Sequence, residues 1–327
     1  MQQFTGMEYV KIDVANQYGL DKLTWDERIE WVNTGMTKGT LFEQENLDKA
    51  KNPVRFLKAL RALTSAISGK PSGHLVGLDA TASGLQIMAC LMGCKKTASM
   101  VNLIDTGKRE DAYQSIASEM GRDKAEMKHP IMTVFYGSKA QPREVFGKDT
   151  PELEEFYEIL NTELPGAMEC MNDIQECWQP YAKEHSWTLP DGHRAIVKVD
   201  VPVDKRIEID ELDNTSFTFR TYINEGTKTG LSLAANIVQS IDGYIVREMV
   251  RRAYVRNFDV ISIHDDFMAH PNYMDQVRII YRKILSEIAQ GDLLGSILSE
   301  VTGEKVRVHK MSDDLHTDIL KSEYALS

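Results

Sequence analysis

The chain has 327 residues, of which 42% are hydrophobic, so it can bury a large core in one large domain or in two closely joined ones. Its formal net charge of -11 argues against a protein that coats nucleic acid through bulk electrostatic attraction. No apolar stretch approaches the length of a membrane span, and the amino terminus lacks the pattern of a signal peptide. We therefore expect a cytoplasmic protein whose contacts with nucleic acid, if any, are local.

Helical patterns dominate the first half of the chain. A capping box formed by Thr24 with Glu27 marks one helix start, and Pro53 is typical of the first turn of another helix. One short strand interrupts the helices and ends at Asp79. The other predicted helices cover residues 83–92, 112–120, 132–136 and a long stretch from Thr150 towards Gln179.

Alternating apolar and polar residues mark the region from Trp187 to Tyr222 as rich in β-strands. Residues 197–203 and 215–222 are predicted to pair as a long hairpin. Further helices are predicted from Ser232 towards Arg256 and over residues 275–288. Strand segments that alternate with long helices indicate an α+β fold.

Two acidic strand ends lie far apart in the sequence. His264, Asp265 and Asp266 stand at the predicted turn of a short hairpin, and Asp79 ends the strand in the first half. Two carboxylates that folding brings together can bind the hard divalent cations used in phosphoryl transfer. Taken alone, each segment is more often a turn or a helix cap, because short carboxylates bond their own backbone.

A basic segment lies between these strand ends. Lys124 and Lys128 are one helical turn apart, and we expect Tyr136 about two turns farther along the same helix face. Two neighbouring ammonium groups repel each other unless an anion, such as a triphosphate, lies between them. Tyr136 beside Gly137 then presents a flat ring to a sugar and base. Cations and an aromatic ring in this order indicate a nucleotide site, although exposed lysines and a core tyrosine also explain this segment alone.

Three segments resemble the catalytic motifs of the phage-type single-subunit RNA polymerases, and they occur in the order found in that family. They are Asp79–Gln86 (DATASGLQ), Lys128–Lys139 (KHPIMTVFYGSK) and Ile263–Asp265 (IHD). The resemblance implies a right-hand polymerase, helix-rich with a small antiparallel palm sheet. It implies the first part of the palm with preceding helices in residues 1–95, reduced fingers in 96–185, and a β-hairpin region, the second part of the palm and a C-terminal tail in 186–327.

The same resemblance implies roles for individual residues. Two Mg²⁺ ions would be held by Asp79 and Asp265, with help from the Ala80 carbonyl. Lys128 would bind the incoming triphosphate and act as an acid towards the leaving pyrophosphate. Further phosphate contacts would come from Lys124 and Lys11.

Other residues are implied to recognise the sugar, the base and the primer. Tyr136, followed by Gly137, would support the base pair and monitor the ribose, and His264 would contact the primer end. Gln239 stands where a histidine normally helps to sense the ribose 2′-hydroxyl, so we expect sugar discrimination to depend more on Tyr136.

The resemblance covers nearly all of this chain but only the C-terminal half of the usual enzyme. We therefore expect the catalytic subunit of a DNA-directed RNA polymerase, which adds NTPs to an RNA 3′-end on a DNA template. A second subunit would supply the N-terminal half and form a heterodimer with this chain, as in the split RNA polymerases of some bacteriophages. If the protein is viral, we expect it in the cytoplasm of the host cell. A single-strand-DNA-binding accessory protein is a candidate partner.

Two other functions remain open at this point. One is a fragment similar to the family A DNA polymerases, which share a lysine-bearing helix and a His-Asp hairpin. The other is a non-catalytic subunit that keeps a polymerase shape for binding. Against the second stands the presence of both Asp79 and Asp265, since degenerate copies tend to lose the metal carboxylates.

Overall fold

Helices make up most of the protein, and its β-sheets are small and antiparallel, which confirms the predicted helix-rich α+β fold. The structure is a computed structural model that describes residues 1–228, 230 and 232–327. Its helices are α1 (Gly6–Tyr18), α2 (Trp25–Lys38), α3 (Gln44–Lys49), α4 (Pro53–Ile67), α5 (Ser83–Met92), α6 (Lys95–Met100), α7 (Ala112–Glu119), α8 (Lys124–Val134), α9 (Ala140–Phe146), α10 (Pro151–Glu163), α11 (Pro165–Glu176), α12 (Ser232–Val255), α13 (Met274–Gln290), α14 (Leu293–Thr302) and α15 (Leu315–Ile319). Within the described ranges, no helix combines the length and the apolar character that crossing a membrane requires.

Three β-sheets accompany these helices. The strands are β1 (Val76–Asp79), β2 (Glu184–Thr188), β3 (Arg194–Lys198), β4 (Asp200–Ile209), β5 (Thr215–Asn224), β6 (Ile261–Ile263) and β7 (Asp266–Ala269). The central sheet has the order β1-β7-β6, while β2 pairs with β3 and β4 pairs with β5. In the central sheet, β1 runs antiparallel to β7 from Val76 opposite Ala269 to Asp79 opposite Asp266. The two acidic strand ends therefore meet at the same end of the central sheet.

The main hydrophobic core lies between the central sheet and the helices α5, α12 and α13. Val76 and Leu78 of β1 are fully buried in it, as are most residues of α5. A smaller core joins α1, α2 and α4 through side chains such as Val14, Phe56 and Leu60. The helix starts predicted at Thr24 and Pro53 are confirmed. Both helices bury an apolar face in this smaller core, which stabilises them.

Two predicted helices are shorter than expected. The stretch from Thr150 towards Gln179 is divided into α10 and α11 at Leu164, because Pro165 lacks the N–H that a continuous helix needs and its ring clashes with the preceding turn. Helix α8 ends at Val134, so Tyr136 lies in the following turn and not on the helix face. Gly137, with φ +85°, completes this turn.

The predicted long hairpin is also corrected. The ladder joins β4 to β5, from Asp200 opposite Asn224 to Ile209 opposite Thr215, whereas residues 194–198 pair with β2. Val199 separates the two ladders because its amide donates to the Lys183 carbonyl and its own carbonyl accepts from the Glu225 amide. The β4–β5 ribbon is therefore longer than predicted towards its tip and starts later at its base.

Candidate active site

An open pocket of about 510 Å³ lies where β1 and the β6–β7 hairpin end. Its wall combines the two acidic strand ends with the basic helix α8 and with α1, α4 and α7. The sequence-predicted residues that line it are Asp79, Ala80, Lys124, Lys128, Tyr136 and Asp265. Folding thus brings together residues from all three motifs.

The backbone holds the two principal carboxylates side by side. Asp79 is the last residue of β1, and the amide of the next residue, Ala80, donates to the Asp265 carbonyl at 3.1 Å. Asp265 belongs to the two-residue turn between β6 and β7, and its neighbour His264 has a left-handed backbone with φ +55°. The predicted hairpin turn is therefore confirmed.

Negative charge accumulates at this end of the sheet. Partial burial, together with Asp265 and Asp266, raises the pKa of Asp79 to about 6. Burial and Asp265 likewise raise the pKa of Asp242 on α12 to about 6. Across residues 1–228, 230 and 232–327, none of these four carboxylates forms a salt bridge or a hydrogen bond with a lysine or an arginine. The cluster therefore fits a cation from outside the chain.

The donors present suit magnesium. In the part of the chain that the structure describes, no three His, Cys, Asp or Glu side chains converge as a ready-made metal cage. Magnesium does not need one, because it is usually held by one or two carboxylates together with water and substrate phosphates. Asp79, Asp265 and the Ala80 carbonyl offer hard oxygen atoms of this kind at the pocket floor.

The two lysines of α8 are not equivalent. Lys124 forms an ion pair with Asp111, whose carboxylate also accepts from the Gln114 amide at the start of α7. Lys128 forms no ion pair with any described residue, and its Nζ atom lies 5.9 Å from the centre of the Tyr113 ring. The charge of Lys128 is therefore available to an anion in the pocket.

Tyr136 enters the pocket from the turn after α8. A Cβ atom on Gly84 would lie 3.2 Å from the Tyr136 hydroxyl and 3.7 Å from a methyl group of Val238, so the glycine allows α5, α12 and the tyrosine to meet. Burial, Asp242 and Asp265 raise the pKa of Tyr136. Its hydroxyl therefore stays protonated near neutral pH and can donate a hydrogen bond.

The other sequence-predicted residues do not line this pocket. Lys11 donates to the Asn33 side chain at 2.7 Å. Gly137 lines a separate cavity near α9 and α10, and His264 and Gln239 are exposed to solvent. The structure thus places the metal and triphosphate candidates together, but not these four.

Several residues in or near the pocket escaped the sequence-based reasoning. Lys22, Arg109 and Tyr113 line the pocket, and Asp242 lies near Asp265 without lining it. Asp242 lies in a segment that resembles the polymerase family, which could have pointed to it. Lys22 and Arg109 follow no periodic pattern, and only the tertiary structure brings them to the pocket.

Comparisons with known proteins agree with the three motifs. The sequence model of a family described as "DNA-dependent RNA polymerase" matches residues 3–138. A "DNA-directed RNA polymerase" of Pseudomonas phage phiKMV is 29% identical over 341 residues, which covers 85% of this chain and 42% of that protein. A "Probable DNA-directed RNA polymerase" of Agaricus bitorquis is 32% identical over 136 residues, covering 37% of this chain and 12% of the relative.

A plant relative extends the similarity along the sequence. The "DNA-directed RNA polymerase 2, chloroplastic/mitochondrial" of Nicotiana sylvestris is 23% identical over 359 residues, which covers 90% of this chain and 35% of the plant protein. The chain thus spans less than half the length of each of these three relatives. In these matches and in the motif residues at the pocket, the chain is similar to the phage-type DNA-directed RNA polymerases.

Proposed function

We propose that this chain is the catalytic polypeptide of a DNA-directed RNA polymerase that adds NTPs to an RNA 3′-end on a DNA template. The observation that supports this most strongly is the convergence of Asp79, Asp265, Lys128 and Tyr136 around one pocket. These residues come from three separate segments of the sequence. A pocket that brings together carboxylates, a free ammonium group and a phenol offers partners for the metal ions, the phosphates and the sugar of a nucleotide.

The carboxylates of Asp79 and Asp265, with the Ala80 carbonyl, would hold two magnesium ions. When bound, such ions supply charge neutralisation for the attacking and leaving oxygens of an in-line displacement. The raised pKa of Asp79 supports this assignment, because a carboxylate crowded by other carboxylates gains most from a neighbouring cation.

Lys128 would bind the triphosphate, since its ammonium group forms no ion pair with a described residue and lies over the Tyr113 ring. In the reaction, the RNA 3′-oxygen forms a bond to the α-phosphorus, the bond to the β-phosphate oxygen breaks, and pyrophosphate leaves. The 3′-hydroxyl loses its proton to solvent, and Lys128 can donate a proton to the pyrophosphate. Tyr136 would place its hydroxyl near the ribose, and His264, on the exposed turn, would contact the primer end.

The proposal also includes a second polypeptide. Its support here is the β4–β5 ribbon, a two-stranded sheet whose alternating residues place Ile207, Phe217 and Phe219 on one face. Their side chains are 45–49% exposed. A two-stranded ribbon is marginally stable alone, and an exposed apolar face favours contact with another protein. Asp210, Glu211 and Asp213 at the tip disfavour contact with DNA phosphates.

Primer extension tests the catalytic assignment. The chain, purified together with the polypeptide that co-purifies with it from phage-infected or co-expressing cells, should extend a primer with ribonucleotides in Mg²⁺ but not in EDTA. Asp265→Asn should abolish extension, whereas Asp259→Asn should not, because Asp259 is exposed and lies outside the pocket. Extension by the Asp265→Asn complex, or a preference for deoxyribonucleotides, would argue for a binding subunit or a DNA polymerase instead.

Co-purification tests the second polypeptide. The double variant Phe217→Ser, Phe219→Ser should co-purify with less of the second polypeptide. Thr218→Ala, on the opposite face of the ribbon, should co-purify with as much of it as the wild type does. If the double variant co-purifies with an unchanged amount of the second polypeptide, the ribbon does not contact that polypeptide. Full synthesis by the purified single chain would remove the need for a partner.

A further inference from the structure

Arg109 is half-buried, and the proposed function gives it no role. It lies between α6 and α7 and lines the pocket beside Asp79. Its Nε atom donates to the Ser327 hydroxyl at 3.2 Å and its Nη1 atom to the Glu110 carbonyl at 3.3 Å. Its Nη2 atom donates to no described residue, and within the described ranges the guanidinium forms no ion pair. One side of the guanidinium fork thus lacks a protein acceptor.

The segment that carries Arg109 is fixed in place. The Asn102 side chain accepts from the Glu110 amide at 2.7 Å and donates to the Glu110 carbonyl at 3.0 Å. The same side chain donates to the Thr81 hydroxyl at 3.2 Å, two residues after Asp79. This clamp ties the backbone next to Arg109 to the carboxylate side of the pocket. The guanidinium is therefore held by the fold and does not belong to a freely moving surface loop.

Another arginine nearby shows what a purely structural guanidinium looks like in this protein. Arg28 is fully buried, and all three of its nitrogens donate to protein acceptors: Leu23, Asn16, Asp21 and Ser327. Arg109 shares only the Ser327 hydroxyl with it. The difference indicates that Arg109 has donors left for a ligand.

A second cation stands beside Arg109. Lys22 also lines the pocket, and burial and Arg109 lower its pKa. Its partner Asp21, at 2.8 Å, offsets part of this repulsion. Two cations of the same pocket that repel each other favour an anion between them.

The charged neighbours of the pair define which end of the pocket it occupies. Both Lys22 and Arg109 lie near Asp111, the carboxylate that holds Lys124 at the start of α8. Tyr136, beyond the other end of α8, marks the sugar side. Lys22 and Arg109 therefore stand at the phosphate end of the nucleotide path, away from the ribose.

The geometry points to Arg109, assisted by Lys22, as a second anion subsite that binds the terminal phosphates of the incoming nucleotide and the pyrophosphate released from it. This inference rests on the proposed function. A guanidinium offers a planar fork that matches two phosphate oxygens, which an ammonium group cannot do. Arg109 thereby supplies the bidentate contact that Lys124 and Lys128 lack, and it recognises a diphosphate group and not a monophosphate.

Kinetics of the complete complex test the subsite. Arg109→Ala should raise the KM for NTPs, and the KM for pyrophosphate in the reverse reaction, by about tenfold or more. Inhibition by nucleoside monophosphates should stay unchanged, because they lack the terminal phosphates. Arg109→Lys should recover only part of the loss. Lys108→Ala is the matched control, since Lys108 is the exposed neighbour, pairs with Glu110 and does not line the pocket.

Two results would overturn the inference: unchanged KM values in Arg109→Ala, or an equal loss of affinity for monophosphates and pyrophosphate, which would indicate a general structural role. Thermal unfolding of each variant separates loss of folding from loss of binding. Failure of the proposed function is recognised differently, by Asp265→Asn retaining activity or by a complex that incorporates no ribonucleotide. In that case, direct titration of wild type and Arg109→Ala with pyrophosphate still decides the subsite.

Discussion

The carboxylate of Asp266 fills the space that a side chain at position 77 would need. A Cβ atom on Gly77 would lie 2.7 Å from Asp266 Oδ1 and 3.0 Å from Met268 Cγ. Glycine usually weakens a strand, so its presence in the middle of β1 marks this close approach. Asp266 Oδ1 is also buried without a hydrogen-bond partner in the described chain. Asp265 and Asp266 both line the pocket, but Asp266 also packs across β1 against Gly77.

Gly77→Ala should lower the free energy of unfolding by about 1–3 kcal/mol, because the added methyl group forces β1 and β7 apart. Adding Asp266→Ser should recover part of this loss, so the two changes should not be additive. Gly73→Ala is the control, since nothing lies within 4 Å of a Cβ there. Denaturant unfolding measures Gly77→Ala, Asp266→Ser, the double variant and Gly73→Ala, and additive losses would show that positions 77 and 266 do not interact.

We predict that, without magnesium, the free energy of unfolding depends on pH through the carboxyl group of Asp79. Its pKa in the folded chain, about 6, lies above the ordinary value of 3.8, so folding favours the protonated form. This stabilisation is complete below pH 3.8 and is lost as the pH rises through 6. Asp79→Asn, which cannot ionise, should therefore gain in Tm over wild type between pH 4 and pH 7 in EDTA. Magnesium should narrow the gap at pH 7; a gap independent of pH would contradict the prediction.

We predict a large loss of stability when the side-chain amide of Gln86 is removed. Its side chain is fully buried, and its two N–H groups are shared among three acceptors, the Thr81 hydroxyl and the Val101 and Ala325 carbonyls, while its oxygen accepts from Tyr281 at 2.7 Å. Gln86→Leu removes these bonds and leaves the buried Tyr281 hydroxyl without its acceptor, so it should cost about 2–4 kcal/mol. Tyr281→Phe removes one bond and should cost about 1 kcal/mol. Equal costs for the two variants in denaturant unfolding would disprove this account.

Tyr136→Phe should weaken the preference for ribonucleotides over deoxyribonucleotides by about tenfold, because it removes the hydroxyl that the proposed function places near the ribose. The measurement is competitive incorporation by the complete complex. Tyr181→Phe is the control, since that side chain is 96% exposed and outside the pocket. An unchanged preference in Tyr136→Phe would assign sugar selection to another group.

Local patterns predicted much of this protein. The Thr24 capping box and the strand that ends at Asp79 are where the sequence placed them, because caps and alternation act over a few residues. The hairpin turn at His264 and Asp265 is also confirmed, since polar residues between apolar β-formers leave few other conformations. The end of α8 before Tyr136 was missed, although Gly137 offered a helix-stop signal.

The remaining features depend on contacts that no local pattern contains. Arg109 and Ser327 are hydrogen-bonded although they lie 218 residues apart in the sequence. The Asn102 side chain that positions Arg109 belongs to no periodic pattern. The start of β4 at Asp200 is likewise set by Val199 bonding to two other segments, not by its own alternation. Tertiary packing overrides propensity at such positions.

The pairing of β1 with β7 also constrains how the protein folds. Asp79 and Asp265 come from opposite halves of the chain, and the helices between them must be accommodated before their strands can align. Closing so long a loop is entropically costly, and contacts between distant residues slow folding. We therefore expect helices such as α5 and α8 to form early and the proposed active site to form late. During synthesis, a ribosome-bound chain would expose Asp79 first, and the proposed site would stay incomplete until β7 has emerged and paired with β1.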